Sequence, residues 1–312
     1  MLEATVKKIL NARVYGAARE TPISSAPLLS RRFNNKILIK REDLQPVNSF
    51  KIRGAFNKMS QLTEEQKAKG VIAASAGNHA QGLAMAAKQM GVKAVIVMPR
   101  ITPEIKVQAV RGWGAKVVLK GDAFAAAAEH AQTLIAEHGY TYIPPFDDID
   151  VIAGQGTIAV EMLRQHPEPI DTLFVAVGGG GLLAGVLAYV KYLRPEIKVI
   201  GVESEDSACL KAAMDAGERV VLDQVGVFAE GVAVAQVGEV PFSIIQGLVD
   251  DVITVNADEM CAAVKDIFED TRAVPETSGA LSLAGLKKYV QQTGVEGQTL
   301  MCINCGANIN FD

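Results

Sequence analysis

Cysteine, histidine and tryptophan are scarce in this sequence, and their scarcity excludes several kinds of site. The 312 residues include four cysteines, four histidines and one tryptophan. Four cysteines in a chain of this length do not make a disulfide framework, which favours a reducing cytoplasm as the protein's location. No second pair of Cys or His residues has metal-ligand spacing, so we predict no metal site. The G-x-S-x-G pattern of serine hydrolases is also missing.

Long basic runs and long apolar runs are missing as well. The formal net charge is -4, and the lack of a basic run argues against a nucleic-acid-binding surface. No uninterrupted apolar run reaches the roughly 20 residues that a membrane-spanning helix needs. The N-terminal sequence MLEATVKKIL lacks the charged, apolar and small-residue succession of a signal peptide. We therefore expect a protein that acts on a small molecule and binds neither nucleic acid nor a membrane.

Short runs rich in valine and isoleucine alternate with amphipathic segments from about residue 70 onward. The predicted strands have the sequences VIAAS, KAVIVMP, AKVVLK, TLFVAV, IKVIGVE and DVITV. A predicted helix over 123–139 ends on a glycine suited to a C-cap, and another over 256–270 begins with Asn256, a preferred N-cap. Strands that are apolar on both faces and alternate with helices predict parallel sheets covered on both sides. The predicted fold class is α/β.

The sequence YIPPFDD, residues 142–148, interrupts the alternation of strands and helices. One series of strand–helix units precedes it, and a second runs from about residue 171 to 303. We predict two α/β lobes: a small lobe of residues 42–143, and a large lobe of residues 1–41 together with 144–312. Ligands of such sheets bind beyond the carboxyl ends of the strands, so we expect the site in a cleft between the lobes.

Four consecutive glycines, Gly178–Gly181, lie between a predicted strand and a predicted helix in the sequence VAVGGGGLLAG. Backbone without side chains lets successive N–H groups converge on an anion, and the helix start adds its positive dipole end. A phosphate site is favoured over a simple tight turn, because a turn does not require four such flexible residues. Gly179, Gly181 and Ala184 also fit the G-x-G-x-x-A dinucleotide pattern, with Glu203 placed as a ribose-binding acid. A nicotinamide-dependent oxidoreductase is therefore an alternative.

A second candidate site is the sequence ASAGNHAQG, in which a predicted strand ends and a predicted helix begins. Ser75 and the backbone N–H groups of this turn would bind a carboxylate at the helix N-terminus. The Asn78 side chain would serve as a hydrogen-bond partner inside the cleft. The alternative is that Ser75 or Asn78 only caps the helix. His79 is a candidate ligand or base, although an ordinary hydrogen-bonded histidine is the simpler interpretation.

Cys302 and Cys305 have the C-x-x-C spacing of redox and zinc sites. The surrounding sequence TLMCINC predicts a strand, however, in which residues three apart point to opposite faces. The two thiols are therefore not expected to share a metal or a disulfide. Cys305, at the strand end before a glycine, is the better candidate for a functional residue. Cys209 and Cys261 are interpreted as buried small side chains.

The sequence SFKIRGAFNKM places Lys51 among the apolar residues Phe50, Ile52 and Phe56. These neighbours indicate that the segment is packed. Two interpretations are open: a surface charge on an ordinary helix, or an amine kept in a pocket because its nitrogen does chemistry. The segment by itself favours the surface charge, which is the commoner case.

Taken together, SFKIRGA, SAGNHAQG, VGGGGL and CGANIN resemble the motifs of the pyridoxal-phosphate enzymes of the tryptophan-synthase β fold type. More narrowly, the chain resembles the catalytic part of the threonine dehydratases (threonine ammonia-lyases). The likeness extends over essentially the whole chain and includes KREDLQPVNSFKIRGA, PPFDD, IAGQGT, VESEDSACLKAAMDAG and FAEGVAV. The motifs occur in the family's order and spacing, which is far more specific than any single glycine run.

The resemblance implies that Lys51 forms a Schiff base with pyridoxal phosphate and later removes the substrate's α-proton. Phe50 would pack near the ring, Asn78 would bond the ring hydroxyl oxygen, and Cys305 would be the partner of the pyridine nitrogen. The residues implied for the phosphate are Gly178, Gly179, Gly180, Gly181 and Leu182. The residues implied for the substrate carboxylate are Ser75, Ala76, Gly77, Asn78 and His79.

The implied reaction converts L-threonine to 2-oxobutanoate and ammonia by α-proton abstraction and β-elimination of hydroxide, and L-serine to pyruvate in the same way. A serine racemase or a serine-specific dehydratase of the same fold is an alternative. In the racemases a serine stands at the position of Ala76, whose methyl group cannot move a proton, and this favours elimination. A non-catalytic protein that binds an amino acid or a phosphate in the same cleft is a further alternative.

The resemblance also bears on features outside the cleft. The chain stops at Asp312, where the biosynthetic enzyme continues into an effector-binding domain, so we expect no C-terminal regulatory domain and no feedback inhibition by isoleucine. Assembly into a homo-oligomer, either a dimer or a tetramer, is expected from the family. Some relatives bind a divalent cation near the segment VESEDSAC. Glu203 and Asp206 are candidate ligands, but a structural strand end is the favoured interpretation.

Overall fold

Two β-sheets organise residues 1–309, the part of the chain that this computed structural model describes. The ten strands in this part are β1 (Ile23–Ser25), β2 (Lys36–Arg41), β3 (Val71–Ala74), β4 (Ala94–Met98), β5 (Lys116–Leu119), β6 (Thr141–Tyr142), β7 (Thr172–Ala176), β8 (Lys198–Ser204), β9 (Asp251–Val255) and β10 (Thr299–Asn304). The larger sheet has the order β1-β2-β10-β7-β8-β9, and each pair is parallel except β1 with β2. The smaller sheet has the order β5-β4-β3-β6, with all pairs parallel. The predicted α/β fold class is confirmed.

Helices connect most of these strands. The thirteen α-helices of the described residues are α1 (Leu2–Leu10), α2 (Pro27–Phe33), α3 (Lys51–Ser60), α4 (Glu64–Lys69), α5 (Asn78–Met90), α6 (Glu104–Gly112), α7 (Phe124–His138), α8 (Ile149–Gln165), α9 (Gly181–Leu193), α10 (Cys209–Ala216), α11 (Glu239–Ile245), α12 (Ala257–Thr271) and α13 (Thr277–Thr293). Short 3₁₀ helices lie at Glu42–Leu44, Glu205–Ser207 and Glu230–Val232. No helix within residues 1–309 is both long enough and apolar enough to cross a bilayer.

The two helices predicted in most detail are present with their caps. Helix α7 ends before Gly139, which has the left-handed φ of 70° that suits a glycine C-cap. Helix α12 follows Asn256, whose side chain accepts the N–H of Glu259, while the Glu259 side chain accepts the N–H of Asn256. This reciprocal capping box explains why the acidic start of the segment marks a helix N-terminus.

All six strands predicted from valine-rich and isoleucine-rich runs are present, as is the strand predicted around Cys302. Strand β2 was not predicted, because it ends in the basic residues Lys40 and Arg41. Both are buried, although lysine and arginine are almost never buried unless they are paired. Their charges are balanced by Glu161 and Asp43 respectively. Strands β1 and β6 have only three and two residues, too few to show a period.

Apolar side chains form one core around the larger sheet and two separate cores against the smaller one. In β3, Val71 and Ala73 belong to one of these cores and Ile72 and Ala74 to the other, because successive side chains of a strand point to opposite faces. The predicted lobe boundaries, after residues 41 and 143, remain a prediction. Residues 310–312, which include the expected end of the chain, lie outside the described residues.

Four helices, in the order α5, α3, α8 and α9, pack side by side at glycines. A Cβ added to Gly82 of α5 would lie 3.1 Å from main-chain atoms at the first turn of α3. A Cβ on Gly154 of α8 would lie 2.6 Å from the carbonyl oxygen of Arg53 in α3. A Cβ on Gly185 of α9 would lie 2.5 Å from the carbonyl oxygen of Ile152 in α8. The contacts at Gly154 and Gly185 are closer than real Cβ atoms permit without a shift, and the contact at Gly82 is tighter than most, so the helix positions depend on these glycines.

A fully buried ion cluster also holds α3 in place. The Arg53 guanidinium donates to Glu42 at 2.7 and 2.8 Å and to Glu161 at 2.6 and 2.9 Å. Lys40 donates to Glu161 at 2.6 Å, so two cations balance two anions. Removing one partner would leave an uncompensated buried charge, which typically costs several kcal/mol. The arginine of the SFKIRGA motif is thus a structural residue that orients the helix beginning at Lys51.

Gly154→Ala is expected to lower the free energy of unfolding by about 1–3 kcal/mol, because the new Cβ overlaps the main chain of α3. Gly112→Ala is the matched control. Gly112 is also helical, but nothing lies within 4 Å of its added Cβ. That variant should therefore lose nothing and gain up to about 1 kcal/mol of helix propensity. Urea denaturation measures both, and equal stabilities for the two variants would contradict the close packing of α3 on α8.

Candidate active site

A cavity opens where strand ends of the two sheets meet. The carboxyl ends of β7 and β10 in the larger sheet and of β3 in the smaller sheet lead into it. All the residues predicted to bind a cofactor line this cavity, namely Phe50, Lys51, Asn78, Gly178, Gly179, Gly180, Gly181, Leu182 and Cys305. The structure therefore brings together residues that are up to about 250 positions apart in the chain.

Lys51 is the first residue of α3 and extends into the cavity. Its Nζ donates a hydrogen bond to the carbonyl oxygen of Pro145 at 3.1 Å and lies 5.3 Å from the centre of the Phe50 ring. Burial lowers the pKa of the Lys51 amine from 10.5 to about 8, and the acidic groups of Cys305 and Glu276 oppose that change only in part. The surface-charge interpretation is thus wrong: the amine lies in the cavity, and its lowered pKa makes the neutral form more accessible than in an exposed lysine.

Four helices begin at the cavity. Helix α3 begins with Lys51, α5 with Asn78 and α9 with Gly181, and α13 follows Glu276, which also lines the cavity. A helix N-terminus carries a partial positive charge and unpaired N–H groups. Their convergence favours a bound anion and disfavours the protonated form of a nearby amine.

The four consecutive glycines are required by the space around them. A Cβ on Gly179 would lie 2.3 Å from ring carbons of Phe146, and one on Gly178 would lie 2.9 Å from the Cα of Val232. Gly180 has a φ of 89°, a conformation that favours glycine. A tight turn, the alternative to a phosphate site, would not by itself account for the close approaches at Gly178 and Gly179.

The backbone donors of this loop are free for a ligand. Within the described residues, the N–H groups of Gly178 through Leu182 donate to no protein acceptor. Buried backbone N–H groups are almost always paired, so a run of unpaired donors at a helix N-terminus indicates an anion site. A phosphate group fits this set of donors.

Asn78 is held between two other polar side chains. Its amide nitrogen donates to Glu276 Oε1 at 2.5 Å, and its Oδ1 accepts from Asn308 at 2.6 Å. The N-cap of α5 is Gly77, and no side chain caps this helix. The alternative that Ser75 or Asn78 only caps the helix is therefore wrong. One N–H of the Asn78 amide remains available to the cavity.

The rest of the predicted carboxylate loop lies beside the cavity. Ser75, Ala76 and Gly77 are partly exposed at the turn before Asn78, where Ser75 Oγ accepts the N–H of Gly77 at 3.3 Å. His79 is buried, and its Nε2 lies 2.8 Å from the carbonyl oxygen of Ile143. Burial lowers the pKa of His79 to about 3, so the ring is neutral and donates this bond. The simpler interpretation of the His79 side chain agrees with these contacts, and the role of the loop in carboxylate binding remains a prediction.

Three functional candidates were missed by the sequence reasoning. Glu276 lines the cavity, accepts hydrogen bonds from Asn78 and from Ser278 Oγ at 2.9 Å, and has its pKa raised by burial. Glu276 directly precedes the helix that starts TSGALSL, and an acidic residue in that position is a sequence signal for a helix N-terminus. Phe146 and Gln155 also line the cavity. They lie in the segments PPFDD and IAGQGT, to which the sequence assigned no chemistry.

The cysteines are all free thiols, and no group of three or more potential metal ligands exists within the described residues. Cys302 and Cys305 are buried and form no disulfide, as predicted. Burial raises the pKa of the Cys305 thiol, which points toward the carbonyl oxygen of Ile303 at 3.5 Å. Cys209 is buried as predicted, but the prediction for Cys261 is wrong because that residue is exposed on α12.

Glu203 has a structural role. Its two carboxylate oxygens accept the N–H groups of Leu210 and Lys211, each at 2.8 Å, and thereby cap the first turn of α10. The residue is fully buried, and burial raises its pKa to about 7. Glu203 is also not among the residues that line the cavity, so it is not placed to act as the ribose-binding acid of the dinucleotide alternative. Asp206 accepts from Ser204 Oγ at 2.5 Å.

Comparison with known sequences gives a consistent result. The family model described as "Pyridoxal-phosphate dependent enzyme" matches residues 14–306. The chain is 56% identical over 306 residues to the biosynthetic L-threonine dehydratase of Escherichia coli, covering 98% of this chain and 59% of that protein. It is 52% identical over 304 residues to the chloroplastic biosynthetic threonine dehydratase of Arabidopsis thaliana, covering 97% and 51% respectively. The chain thus spans about half to three fifths of the length of these curated relatives.

Comparison with solved structures agrees with the comparison of sequences. The processed form of threonine deaminase isoform 2 from Solanum lycopersicum superposes with a TM-score of 0.97 at 46% identity, covering 99% of this chain and 90% of that chain. Maize serine racemase superposes with a TM-score of 0.93 at 31% identity, covering 99% and 94%. The fold is therefore shared with enzymes named for two different reactions.

The reactivity of Lys51 is expected to rise with pH through a midpoint near 8, because only the neutral amine attacks an aldehyde. Formaldehyde and borohydride methylate lysines, and mass spectrometry of protein freed of bound aldehydes reports the rate at Lys51. The control is the free amino acid lysine with its α-amino and carboxyl groups blocked, whose side-chain amine has a pKa of about 10.4. A Lys51 midpoint equal to that of the control would contradict the lowered pKa.

Proposed function

The chain belongs to the family of pyridoxal-phosphate-dependent enzymes, and from that premise we propose that it deaminates L-threonine to 2-oxobutanoate and ammonia, and L-serine to pyruvate. The observation that carries this proposal is the Lys51 amine, with its lowered pKa, facing the unpaired N–H groups of the glycine loop in one cavity. Water lost in the elimination is regained on hydrolysis, so the net reaction needs no oxidant or reductant.

The residues of the cavity fit the cofactor. Lys51 would bond to its aldehyde carbon, Gly178 through Leu182 would bind its phosphate, and Phe50 would pack beside its ring. Asn78 would donate to the ring hydroxyl oxygen from an amide that Glu276 and Asn308 hold in one orientation. When bound, pyridoxal phosphate supplies an aldehyde for the substrate amine and a conjugated ring that takes up electrons from the α-carbon.

Lys51 would transfer the α-proton, and Cys305 would contact the ring nitrogen. A pKa near 8 leaves Lys51 able to take the α-proton at physiological pH and return it afterwards, which is what a general base requires. Cys305 faces the cavity as a neutral thiol, because burial raises its pKa. A neutral partner at the ring nitrogen supplies no full negative charge there, and this favours prompt elimination over transamination.

The substrate carboxylate would bind at the start of α5, where Ser75 to His79 provide backbone N–H groups and a positive helix end. Elimination is favoured over the racemase alternative by Ala76, because its methyl group cannot move a proton at the opposite face of the α-carbon. We also propose that the protein is cytoplasmic. From the family resemblance we propose that it forms a homo-oligomer, either a dimer or a tetramer. The free cysteines agree with a reducing compartment.

Lys51→Ala is expected to abolish the covalent link to the cofactor and to reduce 2-oxobutanoate formation from L-threonine by at least about a hundredfold. Borohydride reduction followed by peptide mapping should place the cofactor on Lys51 in the unsubstituted protein. Lys58→Ala, on the same helix but bonded to Asp148 outside the cavity, is the matched control and should keep its activity. Comparable activity in the Lys51 variant would refute the assignment.

Ala76→Ser is expected to gain conversion of L-serine to D-serine, because the new hydroxyl adds a proton-transferring group beside the substrate. Chiral chromatography measures the product, and the unsubstituted protein should form none. Ala76→Gly serves as the control without a hydroxyl. D-serine from the glycine variant, or none from the serine variant, would show that this position does not decide between the two reactions.

A further inference from the structure

We propose that Gln155 is a side-chain ligand of the cofactor phosphate and completes the anion site of the glycine loop. Gln155 lies in α8, is only 2% exposed, and lines the same cavity as Lys51 and the four glycines. The inference rests on the proposed function, because it presumes that pyridoxal phosphate is the bound molecule.

The orientation of the Gln155 amide is fixed by its neighbour. The backbone N–H of Gly54, in the first turn of α3, donates to Gln155 Oε1 at 3.1 Å. A backbone N–H bonds only an acceptor, so this bond identifies Oε1, and Nε2 packs beside the α-carbon of Gly54, 2.3 Å from where an added Cβ would lie. The two N–H groups of Nε2 donate to no acceptor in the described part of the chain. The Nε2 atom is not itself fully buried, although the residue is only 2% exposed, and the residue lines the cavity. A donor of a nearly buried side chain that has no protein partner and lines a cavity is available to a ligand there.

The polar side chains of Glu276, Asn78 and Lys51 each bond a protein group, and the Asn78 amide keeps one free N–H. Glu276 accepts from Asn78 and Ser278, Asn78 also accepts from Asn308, and Lys51 donates to Pro145. Gln155 therefore differs from its neighbours in offering two unused donors from a well-buried, fixed amide.

The packing of α8 places this donor beside the phosphate site. Helix α8 lies between α3 and α9, touching α3 at Gly54 and Gly154 and α9 at Gly156 and Gly185. Gly185 lies one turn after Gly181, where α9 begins at the glycine loop. Gln155 thus lies beside the first turn of α3 on the helix that also packs against α9. It lines the same cavity as Lys51 and the unpaired N–H groups.

An amide donor fits this position chemically. A neutral donor adds a charge-assisted hydrogen bond to a phosphate without adding a fixed positive charge beside Lys51. A basic residue there would lower the pKa of Lys51 further, whereas an amide leaves it unchanged. A hydrogen bond to a charged group contributes about 1.5–3 kcal/mol, which corresponds to about a tenfold to hundredfold difference in affinity.

The test compares two ligands that differ only by the phosphate. Cofactor-free protein is titrated with pyridoxal phosphate and with pyridoxal, and dissociation constants are taken from the absorbance of the bound aldehyde. Gln155→Met keeps the length of the side chain and removes both polar atoms. Gln165→Met, on the same helix but bonded to Glu20 and Thr21, is the control. Circular dichroism and melting temperature establish that each variant is folded.

Gln155→Met should weaken pyridoxal phosphate binding by about tenfold to a hundredfold and pyridoxal binding by less than about threefold, with no such difference in the control. Equal losses for the two ligands, or no loss, would overturn the role of Gln155 while leaving the proposed function intact. Failure of the unsubstituted protein to bind pyridoxal phosphate would overturn both. If Gln155→Met does not fold, Gln155→Asn, an amide shorter by one methylene, is measured with the same ligands and the same criterion.

Discussion

The close packing of four helices at glycines is the constraint on which the rest of the site depends. Main chain meets main chain where α5, α3, α8 and α9 touch, so a single added methyl group would shift an entire helix. Three of these helices begin at the cavity, at Lys51, Asn78 and Gly181. Protein interiors are too densely packed to absorb such a shift locally. The distances between the amine, the amide and the unpaired N–H groups are therefore set by helix packing rather than by the site itself.

Electrostatics and packing act together around Lys51. Two residues further along α3, Arg53 is neutralised by Glu42 and Glu161, so the helix is anchored without leaving a net charge beneath the site. The cavity side combines helix N-termini, which disfavour a protonated amine, with desolvation, which has the same effect. Glu276 supplies an acid that also lines the cavity, and it orients Asn78. An amine reactive near neutral pH next to an anion site is the result.

Local patterns were sufficient for the parallel sheets and for most of the cavity. Valine-rich runs define β3, β4, β7 and β8, because strands buried on both faces must be apolar. The glycine run indicated an anion site on its own, whereas the importance of Lys51 emerged only through the resemblance to a family of enzymes. Strand β2 was missed because Lys40 is neutralised by Glu161, 121 positions away.

Local patterns could not predict side chains whose role depends on contacts with residues far away in the sequence. Glu276 meets Asn78 across 198 positions, and Gln155 meets Gly54 across 101. Neither residue stands in a local motif that predicts chemistry. Glu203 shows the reverse case: its place near the end of a strand matched a ribose-binding acid, but the helix it caps begins only six positions later. Local sequence cannot show whether a carboxylate's oxygens are already occupied.

The most direct test of the whole arrangement is a crystal structure of the protein purified in the presence of pyridoxal phosphate. We expect continuous electron density from Lys51 Nζ to the cofactor, the phosphate within hydrogen-bond distance of Gly178 through Leu182, and the ring nitrogen facing Cys305 Sγ. Density for a phosphate elsewhere in the cavity, or a ring without a link to Lys51, would contradict the account.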